Sequence, residues 1–95
     1  MAAQLSLEYL DIVYFAWVRE RVGVAEEQVD HPGPDVTIAE LLDRLATGSA
    51  GHAAAFADRG RLRAALDQDY VPLDAPIGTA RELAIFPPVT GGHAP

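Results

Sequence analysis

The sequence predicts an α+β roll, a mixed sheet of about five strands with one main helix packed on one face. Three observations carry this expectation. A capped, amphipathic helical segment sits in the middle of the chain. Strongly apolar, β-type segments lie near both of its ends. Short strand-like stretches separated by turn residues occupy the interval before the last of them. At 95 residues the chain suits one domain with one modest core, and its 49% apolar content is that of a folded chain.

Residues 9–16, YLDIVYFA, form a nearly unbroken apolar run, as expected of a central strand buried on both faces. Tyr9, Tyr14, Phe15 and Trp17 are spaced as strand core rather than as a base-stacking platform. WVRERVG, 17–23, reads as a turn or a single helical turn closed by Gly23. Residues 24–31 read as a second strand, antiparallel to the first, with Glu26-Glu27 as a charged edge that discourages aggregation. After the HPGPDV loop, Thr37-Ile38-Ala39-Glu40 is a capping box, flanked by Val36 and Leu41 at hydrophobic-staple positions. Ile38, Leu41, Leu42 and Leu45 share one stripe, so a helix is expected over 37–47 with Gly48 as its stop. A short helix over 51–57, a strand over 61–67 and an edge strand at YVPLD follow, the edge position argued from Pro72. ELAIF, 82–86, is the last strand, and Pro87-Pro88 cannot donate the next ladder bonds, so the sheet releases the chain there. The first and last strands are the natural central pair, which makes the roll a β-grasp, or ubiquitin-like, fold. Its expected limits are 9–86, after an N-terminal extension over 1–8 and before a tail over 87–95.

Composition excludes several kinds of function. Without cysteine there is no disulfide, thiolate metal site or cysteine nucleophile, which fits a cytoplasmic protein. The N-terminal stretch has no basic flank, and Glu8 and Asp11 interrupt it, so neither a signal peptide nor a membrane span is expected. A net charge of −7 disfavours nucleic acid and suits a basic protein partner. All seven basic residues are arginine, so no side-chain amine exists for a Schiff base or an isopeptide bond. His31, His52 and His93 lack metal-ligand spacing and read as exposed loop residues; no metal site is expected. Asp67, Asp69 and Asp74 read as solvated turn carboxylates, and Ser49 lacks a nucleophile-elbow context.

The remaining feature is FPPVTGGHAP at the end of the chain. A stiff Pro87-Pro88 lead runs to Gly91-Gly92, and the stretch 87–92 reaches at most about 20 Å when extended. Two glycines remove every Cβ at the tip, so it can thread a narrow channel and bring backbone atoms to a catalytic centre. Here the chain resembles the MoaD-type sulfur carriers, the small subunits of molybdopterin synthase. VYFAWVRERVG at Val13–Gly23 resembles the family's first strand and following turn, and ELAIFPPVTGG at Glu82–Gly92 its last strand and tail. The resemblance spans about residues 9–92, with the tail its most specific part.

The resemblance implies a sulfur donor within a sulfurtransferase complex rather than a self-contained enzyme. A ubiquitin-activating-type adenylyltransferase would use ATP to adenylate the Gly92 carboxylate, and sulfur would then replace one oxygen to give a thiocarboxylate. No cofactor would be tightly bound. The tail would enter the large subunit of molybdopterin synthase and donate sulfur to a cyclic pyranopterin precursor, in a heterotetramer with two copies of each subunit. By position, Gly92 would hold the reactive carbonyl and Gly91 would let it pass. Phe86, Pro87, Pro88, Val89 and Thr90 would dock on the partner. The sequence departs from the family where His93-Ala94-Pro95 follows Gly92, because the Gly92 carbonyl is then an amide. A protease acting between Gly92 and His93 would release the carboxylate. A sulfur carrier of thiamine or cysteine formation, and a grasp-fold interaction module with a plain flexible end, are the alternatives.

Overall fold

Two apolar segments from opposite ends of the chain lie side by side at the centre of a five-stranded sheet. The computed structural model of the protein describes residues 8–88. Val89, Thr90, Gly91, Gly92 and His93 lie outside the described residues, as does the N-terminal segment 1–7. β1 (Tyr9–Tyr14) and β5 (Glu82–Phe86) pair in parallel, Ile12 opposite Leu83 and Tyr14 opposite Ile85. β2 (Glu26–Asp30) is antiparallel to β1, β3 (Arg63–Leu66) to β5, and β4 (Asp69–Val71) to β3. The order β2-β1-β5-β3-β4 is the β-grasp arrangement, with the strand before Pro72 at an edge.

Local sequence explains the helices. α1 (Ala16–Val22) ends at Gly23, whose φ of +101° suits glycine and whose N–H reaches the Arg19 carbonyl at 2.9 Å. α2 (Ile38–Gly48) starts on a complete capping box: Thr37 Oγ1 accepts from the Glu40 N–H at 3.1 Å, and Glu40 Oε1 accepts from the Thr37 N–H at 2.9 Å. The N–H groups of Ile38 and Ala39, which have no partner within the helix, donate to the carbonyls of Ala75 and Leu73. The loop before β5 is thereby stitched to α2. α3 (Ala50–Ala55) is capped by Ser49, whose Oγ accepts from the His52 N–H. A Cβ on Gly51 would stand 2.7 Å from the Arg21 carbonyl oxygen, so α3 comes that close to α1 because position 51 is glycine.

The core lies between one face of the sheet and these helices. Leu10, Ile12 and Tyr14 of β1 and Leu83 and Ile85 of β5 are fully buried against Val18, Ile38, Leu42 and Phe56. Each such side chain contributes about 1.5–3 kcal/mol by leaving water.

Several expectations need correction. β1 stops at Tyr14, and it is buried on one face, not both: Tyr9 and Phe15 are about half exposed and Trp17 is half-buried, leaving Tyr14 the one aromatic of that group in the core. No element covers the second face among the described residues, so the nearly unbroken apolar run did not report burial on both faces. The turn at 17–23 is a helix of seven residues starting at Ala16. Gly48 does not stop the helix; it is the last residue of α2, and extended Ser49 makes the break. In β3, Ala65 is as buried as Ala64 although they point to opposite faces, because Tyr70 and Ala84 flank Ala65 on the far side.

Candidate functional site

β5 delivers the C-terminal segment to one end of the sheet. Its alternation puts Leu83 and Ile85 into the core and Glu82, Ala84 and Phe86 on the uncovered face. There Phe86 meets Tyr70 of β4, ring centroids 5.3 Å apart and tilted by 46°. Phe15, Ala65, Tyr70, Ala84 and Phe86 line an open, largely apolar depression beside the root of the tail. Tyr70 is 77% exposed and Phe15 48%. Two exposed aromatics, Phe15 and Tyr70, thus share one surface with the half-buried Phe86 beside the tail, a grouping of the kind found at interaction surfaces. The depression adjoins a polar area along β1 and β2, where Asp11, Glu26, Gln28 and Glu82 lie on the same face.

The turn joining β3 to β4 holds this surface in place. Asp67 and Gln68 both adopt positive φ, 48° and 74°, the backbone of a tight two-residue hairpin turn. The Asp67 carboxylate accepts from the N–H groups of Arg81 and Glu82 at 2.9 and 3.0 Å, tying the turn to the start of β5. Asp67 is therefore an exposed turn carboxylate, as expected from its position, that also serves as a fixed acceptor.

A second polar cluster has the residue types of an active site but the surroundings of a structural tie. Tyr14 Oη donates to Glu27 Oε2 at 2.6 Å, and His52 Nε2 meets the same oxygen at 2.6 Å. Burial pushes the Tyr14 phenol well above its ordinary value, and the hydrogen bond to Glu27 and that group's charge push it further. Burial alone would raise the Glu27 carboxyl, but the hydrogen bonds from His52 and Tyr14 and the attraction of His52 outweigh it and hold the group low. The His52 side chain, 13% exposed, packs edge-on against Tyr14 and Phe56. The cluster joins β1, β2 and α3. His52 is thus a part-buried helix residue rather than an exposed loop histidine, and Glu27, on the edge strand β2 as expected, turns its carboxylate inward to tie the strand down. His31 is half-buried and its Nδ1 accepts from the Gly33 N–H. No group of three or more His, Cys, Asp or Glu residues able to hold a metal occurs among the described residues.

The structure places Phe86 in the lining of the aromatic depression; Pro87 and Pro88 follow it in the chain, half-buried, and the tail positions beyond them lie outside the described residues. Sequence reasoning missed Tyr70 and placed Phe15 in the core. Tyr70 precedes Pro72 on a short strand, and only the β3–β4 register carries it to Phe86.

Comparisons with known proteins agree with this geometry. A model described as the ThiS family matches residues 12–92. The "Molybdopterin synthase sulfur carrier subunit" of Escherichia coli (strain K12) is 40% identical over 83 residues, 87% of this chain and 99% of that protein. The protein so named from Haemophilus influenzae is 32% identical over the same shares of both chains. The crystal structure of SAMP1 from Haloferax volcanii superposes with a TM-score of 0.66 at 27% identity, covering 88% of this chain and 99% of that one. With nearly the full length of these relatives matched, the chain belongs to the ThiS family and stands among its molybdopterin synthase sulfur carrier subunits.

Proposed function

We propose that this chain is the sulfur-carrying, non-catalytic subunit of a molybdopterin synthase in molybdenum cofactor biosynthesis. The observation that carries the reading is the union of an aromatic docking face with the tail root: Phe86 lies on that face, and the next residues lead to Gly91-Gly92. The 40% identity to a sulfur carrier subunit over almost its whole length supports it.

The chemistry follows from the C-terminal carbonyl. Hydrolysis between Gly92 and His93 by a processing protease gives Gly92 a free carboxylate. An ATP-dependent adenylyltransferase joins that carboxylate to AMP and releases pyrophosphate. A sulfide equivalent then displaces AMP and leaves a thiocarboxylate, whose sulfur is a stronger nucleophile than carboxylate oxygen at neutral pH. Inside the large subunit this sulfur attacks an electrophilic carbon of the cyclic pyranopterin precursor and displaces an oxygen leaving group, and hydrolysis of the acyl–sulfur bond then leaves the sulfur on the precursor and returns Gly92 to a carboxylate. The partner covers Phe15, Tyr70 and Phe86 while Pro87 to Thr90 guide the tip inward. The reading places the complex in the cytoplasm, with two copies of each subunit.

The intact mass of the protein isolated from its own host tests this reading. A species ending at Gly92, with a fraction heavier by one oxygen-to-sulfur exchange, is the expected result. A protein that keeps His93-Ala94-Pro95 while the synthase is active would instead be an interaction module. In a chain ending at residue 92, Gly92→Ala should leave thermal unfolding unchanged and sharply reduce thiocarboxylate formation. Undiminished sulfur transfer by that variant would sink the threading argument.

A further inference from the structure

Three of the seven arginines of this acidic chain, Arg21, Arg61 and Arg63, lie near the end of the sheet where β5 releases the tail. Phe15 N–H donates to the Ile85 carbonyl at 3.2 Å, so α1 begins alongside the last residues of β5. A 3₁₀ turn, Arg59–Arg61, leads into β3, where Arg63 stands opposite Phe86. The two elements therefore flank the exit of the tail. Between them the guanidinium carbons of Arg21 and Arg61 lie 5.4 and 4.9 Å from the centroid of the Trp17 ring. Both arginines are exposed, and neither has a carboxylate within salt-bridge distance among the described residues. Arg59, by contrast, is spent on Asp43 and on the carbonyls of Phe56 and Ala39. The nearest acidic residues in sequence are elsewhere engaged or exposed: Asp58 accepts from the Gly60 N–H, and Glu20 lies on the surface of α1.

Two like charges drawn to one ring without a counter-ion form a pre-positioned fork for an anion. We propose that Trp17, Arg21 and Arg61 form a clamp for an Asp- or Glu-bearing segment of the large synthase subunit, beside the opening that admits the tail. The inference rests on the sulfur-carrier reading above. It also refines the expectation drawn from net charge. A basic partner suits the Asp11, Glu26 and Glu82 side of the open face, whereas the tail end calls for an acidic one. A partner with that bipolar surface meets the chain in one orientation, tail first. Commitment to the synthase subunit rather than a transient activating enzyme follows from the relatives, which are named as subunits of that synthase.

The test is binding of the chain ending at Gly92 to the purified large subunit, by calorimetry and stopped flow at several salt concentrations. Arg21→Gln with Arg61→Gln should weaken binding about tenfold, mostly through the association rate, and flatten its salt dependence. Arg44→Gln with Arg81→Gln, the same change in net charge placed elsewhere, should bind like the parent. Circular dichroism should show both doubles folded. Equal affinity of the two doubles would overturn the clamp while leaving the carrier reading intact. No binding by the parent chain would defeat the carrier reading and the clamp together. Unchanged binding with slowed adenylation would assign the clamp to the activating enzyme and overturn the proposal as stated.

Discussion

The two faces of the sheet are made from alternate residues of the same strands, and they differ in use. On the covered face Leu10, Ile12, Leu83 and Ile85 are completely buried beneath the helices. One residue away, Asp11, Val13, Ala84 and Phe86 face a surface that no element covers among the described residues. The covered face supplies the apolar burial that holds the fold together. The open face leaves Phe15 and Tyr70 exposed to water and Phe86 half-buried between them and the sheet, an apolar surface that the proposed docking would cover. Adjacent residues of β5 thus have different surroundings: Ile85 lies in the core, and Phe86 lines the open face.

The widest separation between the faces should appear in Ile85→Ala. Removing a fully buried branched chain from the central strand should cost about 3–4 kcal/mol, read from urea unfolding. A cost below about 1 kcal/mol would mean that the covered face is not where stability is held. Phe86→Ala should do the reverse. Affinity for the large subunit should fall by about 2 kcal/mol, with stability changed by less than half that. If stability drops and affinity holds, Phe86 belongs to the core and the contrast fails at that residue.

The smallest effect comes from the polar tie at the rim of the covered face. Glu27 has a folded value below its ordinary one, so the stability it adds is fully present above the ordinary carboxylate range. That stability is lost as the pH falls through the lower, folded value. Unfolding free energy measured between about pH 6 and pH 3 should therefore decline on the acid side, and Glu27→Gln should shallow that decline. Identical acid limbs in parent and variant would show that the cluster of Tyr14, Glu27 and His52 does not couple stability to pH.

Much of the fold was legible because it is written locally. Thr37 and Glu40 are three residues apart and make their hydrogen bonds within one turn. Gly23 closes α1, and Pro87-Pro88 ends the ladder. The open aromatic face was only partly legible. Phe86 was visible as the residue before the prolines, but Phe15 and Tyr70 reach its surroundings through strand pairings that no local pattern encodes. Phe15 also looked like a continuation of the strand. It lies instead at the break where Ala16, at a φ of +55°, turns the chain into α1.

By itself the sequence determined the order of the elements, the capped helix, the central pairing of first and last strands, and the path from Phe86 to Gly91-Gly92. The elements and the path depend on periodicity, caps and proline, which act over a few residues; the pairing was legible because the first and last strands are the strongly apolar ones, as the centre of a sheet requires. Only the tertiary structure decided which face of the sheet the helices cover, that His52 and Glu27 turn inward to Tyr14, and that Arg21 and Arg61 converge on Trp17. Alternation along a strand marks two faces but does not say whether one or both will be covered. That outcome depends on how many helices the chain has and on strand register, both properties of the whole chain.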